Sequence, residues 1–237
     1  MMPEKLKPYR HILGGFQLMQ RLTVAEAETR MQTMAALWNK ARRDDLGPDG
    51  KRHVFHVEFG HYSNLPHFEL FERYAVANAD SLGMNEVEMR MLLDYWEGQM
   101  DDINAHKVTQ PTISDVLTMT DQLLSKAKEL KLPLSRLHLH PYGSFLMCYD
   151  KEKWEDARDA IIKSSIVVPK YCMSGSDYYW EGNWLADTDA FMIPNIPSEI
   201  SLPSGEQLHL SRDTLTYDFA LNPTQGTHCY LQFFVKC

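Results

Sequence analysis

The 237-residue chain has no apolar run near the ~20 residues that a membrane-spanning helix needs. Its first ten residues, MMPEKLKPYR, are charged and lack the apolar centre of a signal peptide, so the cytosol is the expected location. Basic residues are in the minority. The 24 Lys and Arg against 32 Asp and Glu leave a formal net charge of -8, which argues against a general nucleic-acid binder, whose surface must be basic. Cysteine is scarce. Cys148, Cys172, Cys229 and Cys237 show no CxxC spacing and are expected as reduced, partly buried thiols, a Cys229–Cys237 bridge being the alternative. The chain also lacks GxxxxGK[ST], GxGxxG and GxSxG, which removes the common phosphate loop, dinucleotide fingerprint and serine nucleophile elbow. The small-residue run MSGSD (Met173–Asp177) has the chemistry of a surface turn. Repeats and low-complexity segments are absent too.

What is there is an ordinary globular composition, 44% apolar and 24% charged, arranged as strands alternating with helices. HILGGF (His11–Phe16) is a short strand broken by glycines. Thr23 and Glu26 make a capping box for a helix whose core stripe is Met31, Met34, Ala35 and Trp38. HVFHVEF (His53–Phe59) reads as a strand. A helix follows over residues 65–77 with Asn64 as its N-cap. ADSLGMN is a strand and tight turn, and Asn85 opens a helix reaching about Trp96. Further helices are expected over 113–130 and 151–165. SRLHLH (Ser135–His140), SFLMCYD and IVVP are read as strands, with the regular βα pattern over 9–168. Residues 169–237 are rich in loops and strands, QLHLSRDTLTYDFALNP giving two strands and HCYLQFFVKC a third. The alternation predicts an α/β fold with a mostly parallel sheet flanked by helices, and ligands at the carboxyl ends of the strands.

Three constellations carry chemistry there, each with a bland alternative. His56 and Glu58 are two apart on a strand and share a face; the carboxylate suits Mg²⁺, or is simply solvated beside a structural histidine. Asn85 and Glu88 have capping-box spacing, and the same first turn offers N–H groups and a positive dipole end to a phosphate. His138 and His140 alternate on a strand and could bind Zn²⁺ or line an adenine pocket with the Tyr142 ring; otherwise one packs and one caps a loop.

Taken in order, ILGGFQLM, HVEF (His56–Phe59), DSLGMNEVEM (Asp80–Met89) and SRLHLHPYG (Ser135–Gly143) resemble the ADP-dependent glucokinase and ADP-specific phosphofructokinase family. That resemblance implies a ribokinase-like three-layer sandwich that is incomplete at both termini, a single partial domain over residues 1–237. It implies transfer of the β-phosphate of ADP to a glycolytic hexose, with Mg²⁺ as cofactor and ADP and the sugar as partners. Glu58 and Glu88 would place the metal, Asn85 would lie beside the phosphates, and His138, His140 and Tyr142 would lie near the nucleotide. The family's GxGD motif, whose aspartate is the general base, has no counterpart here, so no catalytic residue is assigned and the chain alone is expected to be inactive. CYLQFFV is expected to be a strand without an assured neighbour and a route to self-association. A non-catalytic nucleotide-binding relic, and a zinc hydrolase built on His138, His140 and Glu58, are the alternatives.

Overall fold

A computed structural model describes residues 9–44, 50, 52–100, 103, 111–140, 144–154, 157–161, 199–210, 216–222, 224 and 226–233. The chain divides into two compact units, Met1–Leu139 and His140–Cys237.

The first unit is a parallel sheet of β1 (Arg10–Leu13), β2 (Val54–Glu58), β3 (Ser81–Met84) and β4 (Arg136–Leu139), side by side in chain order. The connections are α1 (Val24–Asp44), α2 (Leu65–Tyr74), and α3 (Glu86–Trp96) with α4 (Ile113–Glu129). Crossovers between parallel strands are right-handed, so strands added in one direction send every connecting helix to the same face. That face is apolar: Phe55, Val57, Leu82, Met84, Leu137 and Leu139 are all buried. The Trp38 ring of α1 stacks on Phe55 at 4.9 Å, and Phe71 of α2 meets Phe59 edge-on at 4.9 Å. On the opposite face the alternating residues are Arg10 and Ile12, Val54, His56 and Glu58, Ser81 and Gly83, and Arg136 and His138. The α/β class and the parallel sheet with flanking helices agree with the sequence expectation.

The helix starts follow their caps. Thr23 and Glu26 bond reciprocally, with the Glu26 N–H donating to Thr23 Oγ1 at 3.3 Å and the Thr23 N–H to Glu26 Oε2 at 3.0 Å. Asn64 Oδ1 accepts from the His67 N–H at 3.2 Å, and Thr112 forms a second reciprocal box with Asp115. In α1 the expected stripe is buried at Met31, Ala35 and Trp38, while Met34 is half-buried at its margin. Helix α2 ends at Tyr74 and passes into a 3-10 turn over Val76–Asn78, short of the expected end.

Asp80 ties the amino ends of the strands together. Only 1% of it is exposed, and its carboxylate accepts from Arg42 at 2.6 Å, Arg52 at 2.5 Å and the Phe55 N–H at 2.9 Å. Replacing Asp80 by Ala removes the carboxylate partner of Arg42, which keeps only the Asn78 carbonyl, and leaves a buried strand N–H without its acceptor. The expected loss in a chemical-denaturation measurement is about 3–5 kcal/mol.

In the second unit, β9 (Thr227–Phe233) lies between β5 (Ser144–Asp150) and β8 (Thr216–Asn222), antiparallel to both. The sequence expectation for CYLQFFV is corrected here: the strand has a partner on each side, so it offers no open edge. A hairpin of β6 (Glu199–Ser201) and β7 (Gln207–His209) stands beside it in the sequence. Residues 151–153 form a turn, and the helix expected over 151–165 is seen at 157–161. Residues 162–165 and the IVVP strand lie outside the described residues.

The cysteine expectation is also corrected. Cys148 and Cys229 face each other across β5 and β9 with Cα atoms 4.1 Å apart, and they form a fully buried disulfide. For Cys148 and Cys229, neither reduced thiols nor a Cys229–Cys237 bridge fits this pairing; Cys172, Cys237 and the MSGSD run (Met173–Asp177) lie outside the described residues. Buried disulfides persist in oxidising surroundings, which runs against a cytosolic default. No helix among the described residues is long and apolar enough to cross a membrane. The bond joins residues 81 apart, for which loop closure alone gives about 4.5 kcal/mol of stabilisation. Mutating both cysteines to Ser should therefore lower the unfolding free energy by about 2–5 kcal/mol, while adding reductant to the double mutant should have no further effect.

Candidate functional site

At the carboxyl end of the first unit's sheet, Glu58 lies in a row with Gly83 on β3 and His138 on β4. A Cβ built on Gly83 would meet Glu58 Oε2 at 2.3 Å, and one on Gly14 would touch Glu58 Cβ at 3.4 Å. Glu58 is thus flanked by two residues without side chains, and its carboxyl group lies over the backbone of Gly83. One row down, the register runs Ile12, His56, Ser81 and Arg136. The two rows are joined by hydrogen bonds. Arg136 Nε donates to Ser81 Oγ at 2.8 Å, Ser81 Oγ lies 2.8 Å from His56 Nδ1, and His56 Nε2 lies 2.7 Å from Glu58 Oε1.

This relay sits in an uneven electrostatic setting. Burial, reinforced by Arg10, pushes the Arg136 guanidinium down to about 10, while Glu58 pulls it back up. It remains charged at neutral pH. His56 is 5% exposed, but the Glu58 side chain is 39% exposed and faces outward. The sharing of one face by His56 and Glu58 agrees with strand alternation. The pairing of both with His138, across β3, follows only from the register: the three ligand atoms lie within 4.8 Å of one another. His140 is not in this group. Strand pairing stops at Leu139, and His140 lies exposed beyond it with its ring edge-on to Phe145. Of the expected group of His138, His140 and Glu58, His138 and Glu58 lie together, with His56 rather than His140 as the third side chain. Tyr142 lies outside the described residues.

Asn85 and Glu88 form the capping box of α3. Asn85 Oδ1 accepts from the Val87 N–H at 3.0 Å and the Glu88 N–H at 2.9 Å, and Glu88 Oε2 accepts from the Asn85 N–H at 2.9 Å. Most N–H groups of this helix start are thus already engaged, which narrows what a phosphate could take from the backbone. Glu88 is near enough to Glu58 to feel its charge. Its carboxyl group is pushed above the usual carboxylate range, first by burial and then by Glu58, although the Asn85 N–H works the other way. Beneath it is Tyr62, fully buried, stacked on Phe71 at 5.0 Å. Burial and the Glu88 charge push the Tyr62 hydroxyl strongly upward.

The family model described as the ADP-specific phosphofructokinase/glucokinase conserved region matches residues 2–192. The chain belongs to this family. An ADP-dependent kinase in complex with fructose 6-phosphate and ADPβS is similar at 19% identity and a TM-score of 0.43, over 60% of this chain and 29% of that one. The last common ancestor of ADP-dependent phosphofructokinases from Methanosarcinales is similar at 19% identity and a TM-score of 0.44, over 60% and 28%. A hypothetical ADP-dependent phosphofructokinase from Pyrococcus horikoshii OT3 is similar at 16% identity and a TM-score of 0.42, over 59% and 28%. The matched segment thus spans under a third of each of those chains. No curated protein matches the sequence significantly.

The raised Glu88 carboxyl group gives a test with a definite sign. A carboxyl group raised on folding takes up protons in the native state, so its ionised form weakens the fold above the folded value and has no such effect below the unfolded one. Glu88→Gln can still close the capping box. It should match or exceed the wild type in thermal stability at neutral pH, and its advantage should fade as the pH falls through the carboxylate range.

Proposed function

We propose that this chain carries the ADP- and magnesium-binding portion of an ADP-dependent sugar kinase, which transfers the β-phosphoryl group of ADP to a hexose hydroxyl. One observation supports this reading most: Glu58 and Glu88 stand at the carboxyl ends of adjacent parallel strands, electrostatically coupled, beside the start of α3. Ligands of open parallel sheets gather at such ends. The all-oxygen donors fit Mg²⁺, which keeps most of its water and takes one or two carboxylates. Bound there with a nucleotide, the ion would neutralise phosphate charge.

The protein's own part is positioning. Glu58 is laid over Gly83 and held by His56, so its carboxyl group is presented without rotamer search. Glu88 uses Oε2 for the cap and would present Oε1 to a metal-bound water. Because Asn85 Oδ1 already serves two N–H groups, its amide Nδ2 is the group to donate to a phosphate oxygen. His138 belongs with the metal side of this arrangement, and His140 and Tyr142 are proposed on the nucleotide side. The acceptor is a hexose, glucose or fructose 6-phosphate. With no GxGD in its sequence, the chain alone should give no useful turnover, since loss of a general base by itself costs about 10²–10⁴ in rate.

Calorimetry with ADP tests this reading. ADP should bind with Mg²⁺ and much more weakly in EDTA. Glu58→Gln, Glu88→Gln and Gly83→Ala should each weaken binding about tenfold or more, or ~1.4 kcal/mol. Gly83→Ala matters because it displaces the Glu58 carboxylate without altering any charge. Affinity that is unchanged in all three variants, or no binding of ADP with Mg²⁺, would overturn the assignment.

A further inference from the structure

We infer that His56 Nε2, His138 and one Glu58 oxygen form a binding site for a borderline-soft divalent ion of the Zn²⁺ class, independent of nucleotide. The donor set decides the class. Two imidazoles and a carboxylate are the ligands of Zn²⁺, Co²⁺ and Ni²⁺, whereas Mg²⁺ selects oxygen. The ligand atoms lie within 4.8 Å of one another, and His56 Nε2 and Glu58 Oε1 are already 2.7 Å apart. Ligands at about 2.1 Å from a tetrahedral ion are about 3.4 Å from each other. Reaching that spacing asks for a shift of about an ångström in the His138 ring, whose centroid is 5.9 Å from that of His56. Three protein ligands leave the fourth position to water, on the exposed side of Glu58.

Two further features mark the site as built. First, Gly83 separates the ligands of β2 from the ligand of β4, and any side chain there would fill the space the Glu58 carboxyl group occupies. Second, His56 has the outer partner that a metal-bound histidine needs. Its Nδ1 meets Ser81 Oγ, which in turn accepts from Arg136 Nε. Two proton arrangements satisfy this relay. In one, the Ser81 hydroxyl donates to Nδ1 and the Nε2–H donates to Glu58. In the other, the ring proton is on Nδ1 and donates to Ser81, and Nε2 turns its lone pair to the ion, so the change is one of tautomer with no net release of a proton. The nearby Arg136 charge weighs most against an ion held by charge alone, and so favours one held through imidazole nitrogen. Such an ion would bridge the carboxyl ends of β2 and β4 across β3.

The test uses the full chain stripped with EDTA and no nucleotide. Zn²⁺ alone should bind one per chain in calorimetry, undisturbed by millimolar Mg²⁺, and should raise the thermal midpoint. Co²⁺ alone should give the intense visible absorption of a four-coordinate site with nitrogen ligands. His138→Asn and Glu58→Gln should each reduce Zn²⁺ affinity at least a hundredfold, and Ser81→Ala about 10–100-fold. Unchanged affinity in the His56→Asn/His138→Asn double variant would assign the ion to other histidines and overturn the inference. A weak six-coordinate Co²⁺ spectrum in the wild type, which depends on no variant folding, would overturn it as well. ADP binding with Mg²⁺ is read separately, so failure of one assignment leaves the other standing.

Discussion

The bare backbone at Gly83 is the constraint on which the placement of the Glu58 carboxyl group depends. Glu58 cannot lie toward β4 unless its neighbour on β3 has no side chain, since a Cβ there would come within 2.3 Å of the carboxyl oxygen. Gly14 on the β1 side is less constrained, since a Cβ there would only touch the Glu58 Cβ at 3.4 Å. The carboxyl group over Gly83 is aimed by exclusion as much as by attraction. The attraction comes from His56, and behind it from Ser81 and Arg136 on successive strands. Parallel register makes this possible, because residues in one row across parallel strands face the same side.

The start of α3 shows that a cap and a ligand need not compete. Asn85 and Glu88 satisfy the helix's own N–H groups, which accounts for both residues without any function. Yet capping also fixes their rotamers. It leaves the Asn85 amide nitrogen and one Glu88 oxygen oriented by the helix itself, at the end of the sheet where Glu58 stands. A capping box placed elsewhere would not be pushed upward by a second carboxylate, as Glu88 is by Glu58. The cost of that repulsion is what a cation between them would relieve.

Much of the first unit was legible in the sequence because its signals are local. Thr23 with Glu26, Asn64, and Asn85 with Glu88 each mark a helix start through bonds spanning three residues. Strand alternation placed His56 with Glu58 for the same reason. What escaped depends on register between distant strands. His138 rather than His140 joins Glu58 because β4 is aligned so that His138 falls opposite Gly83. The Cys148–Cys229 bond pairs residues on strands far apart in the chain, and no spacing rule indicates it. The position of β9 between β5 and β8 was hidden likewise: an apolar strand looks the same at an edge and at a centre until its partners are known. Arg136, Ser81 and Gly83 fall inside the segments that carry the resemblance but were assigned no role there, though the glycine within a strand was itself a sign of close approach.

The two acidic side chains at opposite ends of the sheet separate structural from chemical use of charge. Asp80 is buried to 1% and is saturated by two guanidinium groups and a strand N–H. Such a carboxylate has its charge fully compensated and keeps little affinity for anything else. Glu58 has the His56 imidazole on one oxygen, feels the Arg136 charge, and keeps 39% of its side chain exposed. Its charge is oriented but only partly compensated. The same residue chemistry thus anchors the amino ends of the strands and remains available at the carboxyl ends, and the difference lies in how many donors the surrounding strands bring to each.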